Sequence, residues 1–280
     1  MDIMMRILLL LLFVFPLSMH AQRKFEQSTE FGIFGGTAYY IGDINPYKHF
    51  NGNLHLAAGV MYRQNLTRRW SVKGTFSYGN IEASDAQSGD AWRQNRNLSF
   101  RNEIIEGAVT VELNYFNYQI GNPKFPISPY LFLGLGYYKH KPMANYQGKW
   151  YELQPLGTEG QGTTEGGNFY ALNGISWPFG AGLKMNLFSI VGLSFEWGMR
   201  KTYTDYLDDV STKYVSQAVL SEENGMLSAL LADRSLTPVA GRPSNEGMAR
   251  GDSGRRDWFN FSTVTLSIRL GKAPTTCWNQ

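Results

Sequence analysis

The feature that most constrains the fold is a two-residue alternation of apolar and small or charged side chains. In IVGLSFEWGMR, Ile190 to Arg200, the odd positions 191 to 199 are large and apolar, and the even positions are Gly, Ser, Glu, Gly and Arg. Side chains of a strand alternate between two faces, so this segment predicts a strand with one apolar face. Glycine is a weak strand former that a water-facing surface has no reason to use. We therefore expect the apolar face to point outward into lipid, and the glycines and charges to point inward.

The same alternation recurs along the chain and predicts eight strands. FGIFGGTAYY, Phe31 to Tyr40, is the first and the segment above is the seventh. The other six strands are centred on residues 55–63, 70–78, 105–115, 131–138, 177–185 and 263–270.

The predicted connections alternate in length. The links at 65–69 and 186–189 are short and IGNPKFPIS is a modest turn, whereas 41–53, 79–100, 139–175 and 204–256 are long. Short turns at one end and long loops at the other are typical of outer-membrane barrels, and an even number of strands closes the sheet. The predicted fold class is all-β: an eight-stranded antiparallel transmembrane β-barrel of the outer-membrane type with four long extracellular loops.

The start of the chain has the layout of a secretory signal. The apolar run from Ile7 to Leu17 is eleven residues, too short to span a bilayer as a helix, and Ala21 precedes Gln22. We expect a signal peptide over 1–21, a barrel over 22–270 and a periplasmic tail over 271–280, in the outer membrane of a Gram-negative bacterium.

Composition gives no support for a disulfide-stabilised fold or for a nucleic-acid-binding protein. A single cysteine, Cys277, excludes an internal disulfide, and a net charge of +3 gives no reason to expect nucleic acid as a partner. A soluble calycin-like barrel remains the alternative fold. It would place bulky residues inside and polar ones outside, opposite to the pattern of glycine, serine, threonine and charge on the expected inner face.

Charged residues fall on the expected inner face, where they persist only if paired or hydrated. Lys73 and Glu112 lie near the short-turn end of neighbouring strands and are expected to pair. We predict a closed plug rather than a pore. The predicted interior charges are Arg63, Lys73, Glu106, Glu112, Lys184, Glu196, Arg200 and Arg269.

Signals for chemistry are weak, so we predict no enzyme and no catalytic, cofactor-binding or metal-binding residue. His55 or His140 near the long loops would suit an enzyme acting on lipid, but neither has an assignable Ser or Asp partner. Asp205, Asp208 and Asp209 offer ligands for Ca²⁺, but their spacing is not that of a known loop, and a solvated cap on a strand end is the preferred interpretation.

Two long loops have their own patterns. The composition of 156–168 predicts a flexible loop. Leu227, Leu230 and Leu231 lie at helical spacing and predict one or two short helices over the barrel mouth.

Two longer motifs carry a family resemblance. GTAYYIGDINP, Gly36 to Pro46, and RKTYTDYLDDVSTKY, Arg200 to Tyr214, followed by NGMLSALLADRS, resemble the small barrel component of the type IX secretion system, the PorG-like family. The motif residues that carry this resemblance are Gly42, Asp43, Asp205, Tyr206, Asp208 and Asp209. The resemblance implies a non-enzymatic outer-membrane protein that contacts a periplasmic ring lipoprotein and helps to hold the ring at the membrane.

The expected contact surface for that partner is the short-turn end of the barrel. Its candidate residues are Arg68, Arg69, Lys124, Phe125 and Trp278. Outer-membrane lipid is the other expected partner. The alternative function is a stand-alone surface barrel whose extracellular loops bind ligands or other cells.

Overall fold

A computed structural model describes residues 27–49, 54–239 and 241–271, and these form nine strands. The strands are β1 (Ser28–Ile41), β2 (His55–Asn65), β3 (Trp70–Ser84), β4 (Ser99–Asn114), β5 (Ile127–Tyr146), β6 (Lys149–Glu152), β7 (Asn173–Asn186), β8 (Val191–Thr202) and β9 (Trp258–Leu270). The predicted signal peptide and nearly all of the predicted tail lie outside the described residues.

Eight of these strands close into a barrel. The sheet order is β4-β3-β2-β1-β9-β8-β7-β5-β6, and β4 also pairs with β5, which completes the ring. Every pairing is antiparallel, and β6 is a short hairpin partner of the upper part of β5. The predicted eight-stranded barrel is confirmed.

The outer wall is apolar across the barrel. Leu193 lies opposite Leu266, which lies opposite Ile33, which lies opposite Val60, so the register aligns one apolar row across four strands. Ile33 is 60% exposed and Leu131 is 62% exposed. A closed sheet with a continuous apolar outer wall suits a lipid environment rather than water. The predicted orientation of the two faces is confirmed.

Glycines on the inner face make room for bulky side chains. Tyr130 of β5 lies opposite Gly182 of β7, and a Cβ at Gly182 would stand 2.5 Å from the Tyr130 ring. An eight-stranded barrel has space for little more than its own side chains, so a larger residue here would collide with the tyrosine.

The connections differ at the two ends as predicted. Turns at 66–69, 115–126 and 187–190 form the short-turn end, and the long loops form a cap at the other end. The cap contains α1 (Ala91–Arg96) and α2 (Met226–Ala232), with one-turn 3₁₀ segments at Asp85–Gln87 and Gln154–Leu156. A short helical turn at Gln217–Val219 continues as a π-helical segment at Leu220–Asn224, so the predicted short helices are confirmed.

A hydrophobic core lies where the cap meets the barrel. Tyr40, Phe100, Tyr138 and Phe259 from four strands pack with Leu231 of α2 and other buried residues. This core fixes the cap on the barrel mouth. Among the described residues, no helix combines the length and apolar character that a membrane crossing requires.

Candidate functional site

All eight predicted interior charges lie inside the barrel, and Glu112 is their centre. It is fully buried and contacts three cations, with Arg63 at 2.9 Å, Lys73 at 3.1 Å and Lys184 at 2.5 Å. These partners come from β2, β3 and β7, so the network crosses the lumen. Lys184 also donates to the Asn114 side chain at 2.9 Å.

A second group of contacts surrounds Glu196 on β8. Lys73 also donates to Glu196, and the Tyr130 hydroxyl donates to the same carboxylate at 2.7 Å. The ammonium of Lys73 lies 4.9 Å from the centroid of the Phe132 ring. Lys73 is therefore held between two carboxylates and an aromatic face.

Glu106 and Arg200 form a separate pair at 3.2 Å nearer the mouth. Ser176 donates to Glu106 at 2.6 Å. Within the described interior the network thus joins side chains from most of the barrel strands.

Sequence reasoning missed one member of the interior network, Glu30. It is fully buried and ion-pairs with Arg63 at 2.6 Å. The predicted first strand began at Phe31, whereas β1 begins at Ser28. Extending the alternation two residues back from Gly32 would have placed Glu30 on the inner face.

The barrel is closed at the short-turn end as well as by the cap. Tyr118 and Ile120, from the turn at 115–126, are buried, and Arg269 of β9 donates to the Ile120 carbonyl at 3.1 Å. Deeper in the lumen, a cavity beside Lys73 and Glu196 holds only about 10 Å³. That is about the space of one water, so the described lumen is a plug.

The family-motif residues come together in the cap although they are about 160 residues apart in sequence. Asp43 accepts from the Asp252 backbone N–H at 2.9 Å, and its carbonyl accepts from Arg96 at 3.2 Å. Asp205 accepts from the Ser211 hydroxyl at 2.7 Å.

Gly42 is required by a close approach. A Cβ there would stand 1.9 Å from the Tyr40 hydroxyl oxygen and 2.0 Å from an oxygen of Asp257. Those two groups are hydrogen-bonded to each other at 2.8 Å. Any side chain at this position would separate the first and fourth long loops.

Tyr40 joins two buried carboxyls. Its hydroxyl oxygen lies 2.6 Å from Asp208 and 2.8 Å from Asp257. One hydroxyl has one hydrogen, so the second contact needs a proton on a carboxyl. Burial raises the pKa of both Asp208 and Asp257 well above the usual range, and that shift supplies the proton.

Asp209 and Tyr206 connect the fourth long loop to the third. Asp209 accepts from Thr158 at 2.5 Å and from Tyr170 at 2.6 Å, while the Tyr206 and Tyr170 rings stack at 4.4 Å. Burial raises the pKa of Asp209 to about 6, although nearby Arg250 acts in the opposite direction.

One prediction about these loops was wrong. Asp205, Asp208 and Asp209 are buried rather than solvated, because hydroxyls and backbone N–H groups replace water around them. In the segment 156–168, Thr158 and Glu159 are buried and Thr164 and Glu165 are exposed, and its flexibility stays a prediction. Within the described residues, no group of three or more His, Cys, Asp or Glu side chains is arranged to hold a metal ion.

Two arginines hold the cap together, and sequence reasoning identified neither. Arg96 pairs with Asp85 at 2.7 Å and donates to the Arg250 carbonyl at 2.6 Å, and Arg250 pairs with Glu159 at 2.9 Å. These contacts join the second, third and fourth long loops. No short-range pattern could have found them, because their partners are 11 to 154 residues away.

The two histidines considered for lipid chemistry are engaged otherwise. His140 is buried, with Nδ1 at 3.1 Å from the Asn102 amide and Nε2 at 3.2 Å from the Ala171 carbonyl. His55 lies 3.5 Å from Glu82 of β3. The structure does not bring them together.

The candidate partner-contact residues lie at the short-turn end. Arg68, Arg69 and Lys124 are exposed, and Phe125 is half-buried and stacks on Phe116 at 6.2 Å. Trp278 lies outside the described residues.

Comparison with known proteins assigns the family. Residues 5–224 match the family described as "Domain of unknown function (DUF6089)". The chain belongs to this family. No curated protein matches it.

Several solved structures are similar at low identity. The attachment invasion locus protein Ail of Yersinia pestis, solved with the heparin analogue sucrose octasulfate, is 12% identical with a TM-score of 0.38, covering 87% of this chain and 97% of that one. Neisserial surface protein A is 6% identical with a TM-score of 0.42, covering 88% and 100%. The N-terminal barrel domain of Pseudomonas aeruginosa OprF is 10% identical with a TM-score of 0.37, covering 87% and 97%.

The closed ring and the apolar outer wall define the fold of this DUF6089 protein. It is that of an eight-stranded outer-membrane β-barrel.

Proposed function

We propose that this DUF6089 protein is a non-enzymatic outer-membrane component of the type IX protein secretion system. In this role it helps to anchor the periplasmic lipoprotein ring to the outer membrane. The motif resemblance is the reason for naming the type IX secretion system. The charge of the short-turn end supports a contact with the lipoprotein ring.

The carrying observation is the one-sided charge of the short turns. The turns at 66–69, 115–126 and 187–190 contain Arg68, Arg69 and Lys124 and no Asp or Glu. All three basic side chains are exposed. The turns of an outer-membrane barrel face the periplasm, so this surface offers positive charge to a periplasmic partner.

The aromatic residues of this end suit the same role. Phe125 and Phe116 stack at the surface, and the Lys124 ammonium lies 6.0 Å from the Phe125 ring centroid. Aromatic side chains and arginines, such as Arg68 and Arg69 at the same end, are enriched in protein interfaces. A plugged lumen directs the proposed activity to this surface rather than to transport through the barrel.

Site-specific photo-crosslinking in whole cells tests the proposal. A crosslinker at Lys124 or Trp278 is expected to capture a ring lipoprotein, while one at Arg242, exposed in the cap, is not. Capture through Arg242 alone would reverse the assignment of the two ends, and no capture at any of the three sites would contradict ring anchoring.

A charge-reversal pair sharpens the test. Arg68→Glu with Arg69→Glu is expected to abolish co-purification of the ring lipoprotein, because both charges face the partner. Lys149→Glu with Arg242→Glu makes the same charge change at exposed cap positions and is expected to leave it intact. Equal loss with both pairs would indicate a general charge effect.

The cap gives one reason to keep the alternative of a ligand-binding surface barrel. A cleft of about 290 Å³ lies between Tyr47 and Arg93, and another of about 430 Å³ lies between Tyr214 and Pro243. Both are of a size that suits small ligands. Absence of ring subunits from a detergent pull-down, together with binding by the isolated barrel to cells or glycans, would favour this function.

A further inference from the structure

A cationic and aromatic patch lies on the outer wall where the barrel meets the cap. In the register, Lys201 of β8 lies between Trp177 of β7 and Trp258 of β9. Lys201 is exposed, and its ammonium lies 5.6 Å from the Trp258 ring centroid. The three side chains share the outward face, because each lies in phase with the apolar residues of its strand.

The patch continues beyond the cap-side ends of β8 and β9. The Thr202 N–H donates to the Asp257 carbonyl at 3.3 Å, and the Asp257 N–H donates to the Thr204 carbonyl at 3.0 Å. Tyr203 directly follows Thr202, the last residue of β8, and Arg256 lies two residues before Trp258, the first residue of β9. Both are exposed at the end of the Lys201–Trp258 pair. We call Trp177, Lys201, Tyr203, Arg256 and Trp258 the rim patch.

The charge of the rim patch is not balanced on the surface. Lys201 is the single charged residue among the outward positions of β7, β8 and β9, all three of which are described in full. The nearby carboxyls of Asp205 and Asp257 are buried in the cap, at 2% and 1% exposure. The exposed charge of the patch is therefore positive.

The opposite side of the wall differs. There Arg101 pairs with Glu82 at 3.0 Å, and Lys141 pairs with Glu152 at 2.7 Å. Those cations already have ion-pair partners, whereas among the described residues Lys201 and Arg256 form no ion pair, and the carboxyl that acts on Arg256 through space is that of buried Asp205.

The height of the patch places it at a membrane boundary. From Val191 to Lys201 is ten residues of β8, which at a strand rise of about 3.3 Å and a tilt of about 40° corresponds to roughly 25 Å along the membrane normal. That is the height of the apolar band of such barrels, and tryptophans flank Lys201 where an aromatic girdle is expected. Lys201 and Arg256 thus lie at the level of lipid headgroups on the long-loop side.

We propose that the rim patch binds the phosphate of an outer-leaflet lipid. The two cations contact the phosphate, and Trp177, Trp258 and Tyr203 pack against the sugar and the first carbons of the acyl chains. This inference rests on the outer-membrane location in the proposed function, and it is independent of any secretion partner.

Lipid retention by the purified full-length protein tests the inference. The protein is reconstituted with bisphosphorylated lipid A or with its dephosphorylated form, and retained lipid is counted by native mass spectrometry. The variant is Lys201→Gln with Arg256→Gln. The control, Lys149→Gln with Arg242→Gln, removes the same charges at exposed cap positions. The gel shift of unheated protein verifies that each barrel is folded.

Each basic residue at a membrane surface strengthens binding of anionic lipid by roughly fivefold. We therefore expect the variant to bind bisphosphorylated lipid A roughly 25-fold more weakly, with the control unchanged. Equal retention by variant and wild type, or equal retention of the dephosphorylated lipid, would overturn the inference. Displacement of the lipid by millimolar inorganic phosphate would assign the patch to free phosphate instead. A negative result here leaves the crosslinking test of ring anchoring unaffected.

Discussion

The barrel interior and the cap both bury charge, but they stabilise it by different means. Among the described residues, the interior holds four carboxylates and five cations, with Glu112 touching three of the cations. The cap buries carboxyls in excess, since Asp205, Asp208 and Asp257 have hydroxyl and backbone donors as their hydrogen-bond partners.

The difference shows which kind of buried charge depends on pH. Carboxylates held by cations stay ionised, so removing one leaves its cations unpaired. In the cap, where neutral donors stand in place of cations, burial raises the pKa of Asp205 to about 7 and those of Asp208 and Asp257 well above their usual range. The interior is therefore sensitive to mutation and the cap to pH.

Glu112→Gln is expected to have the largest effect. It leaves Arg63, Lys73 and Lys184 without their shared anion and should cost about 3–5 kcal/mol of folding free energy. Urea unfolding in lipid vesicles, followed by tryptophan fluorescence, measures it. Ser194→Ala is the control, because this inward hydroxyl has no hydrogen-bond partner in the described structure. A loss below about 1 kcal/mol would show that the interior pairs are not the main support of the plug.

Leu193→Arg tests which face of β8 contacts lipid. Leu193 points outward on the same strand as inward Glu196 and lies two residues from the short-turn end, so a charge there should cost on the order of 1 kcal/mol, less than at the midplane. The same unfolding assay applies. Equal effects of Leu193→Arg and Ser194→Ala would mean that the two faces are assigned the wrong way round.

Gly42→Ala is expected to loosen the cap and leave the barrel closed. The added methyl collides with the Tyr40 hydroxyl and Asp257, and overpacking of this kind costs about 1–3 kcal/mol. Faster proteolysis within 203–257, with an unchanged gel shift, is the expected result. Gly89→Ala is the control, since its Cβ would meet no atom within 4 Å. If proteolysis is equally slow in both variants, the close approach does not explain why position 42 is a glycine.

The pH dependence of the cap is expected to act through Asp205. Burial raises its pKa to about 7 in the folded protein. The folded state binds this proton more tightly than the unfolded state, so the contribution to folding is full below the unfolded pKa of about 4 and is lost as pH rises from about 4 to about 7.

Asp205→Asn makes that site neutral at every pH and tests the sign. Thermal unfolding by circular dichroism should show wild type and variant alike at about pH 3.5, where Asp205 is protonated in both the folded and the unfolded state. At about pH 8.5 the wild type should be less stable than the variant, because folded Asp205 is ionised in a buried site. A wild type that gains stability relative to the variant at pH 8.5 would contradict the raised pKa.

The two-residue periodicity predicted the barrel. Contacts between residues far apart in sequence could not be predicted. An interior residue such as Lys184 follows from strand phase alone, because alternation assigns every residue of a strand to a face. Glu30 was missed where the phase was blurred by glycines at the start of β1. Arg96 and Arg250 could not be predicted, since their partners depend on how four loops pack over one another. The buried state of Asp208 was missed for the same reason.

The lumen contacts also constrain the order of assembly. Glu112 on β4 meets partners on β2, β3 and β7, and Lys73 on β3 meets Glu196 on β8, so these contacts need a run of six neighbouring strands, from β2 through β5 to β8, curled around one lumen. An open sheet entering the bilayer would expose unpaired charges and a free edge to hydrocarbon. Closure of β1 against β9 removes the free edge and brings the charges together in one event. Biogenesis of this chain therefore favours insertion coupled to closure, and a variant that weakens the lumen contacts should accumulate as an unclosed intermediate on the assembly machinery.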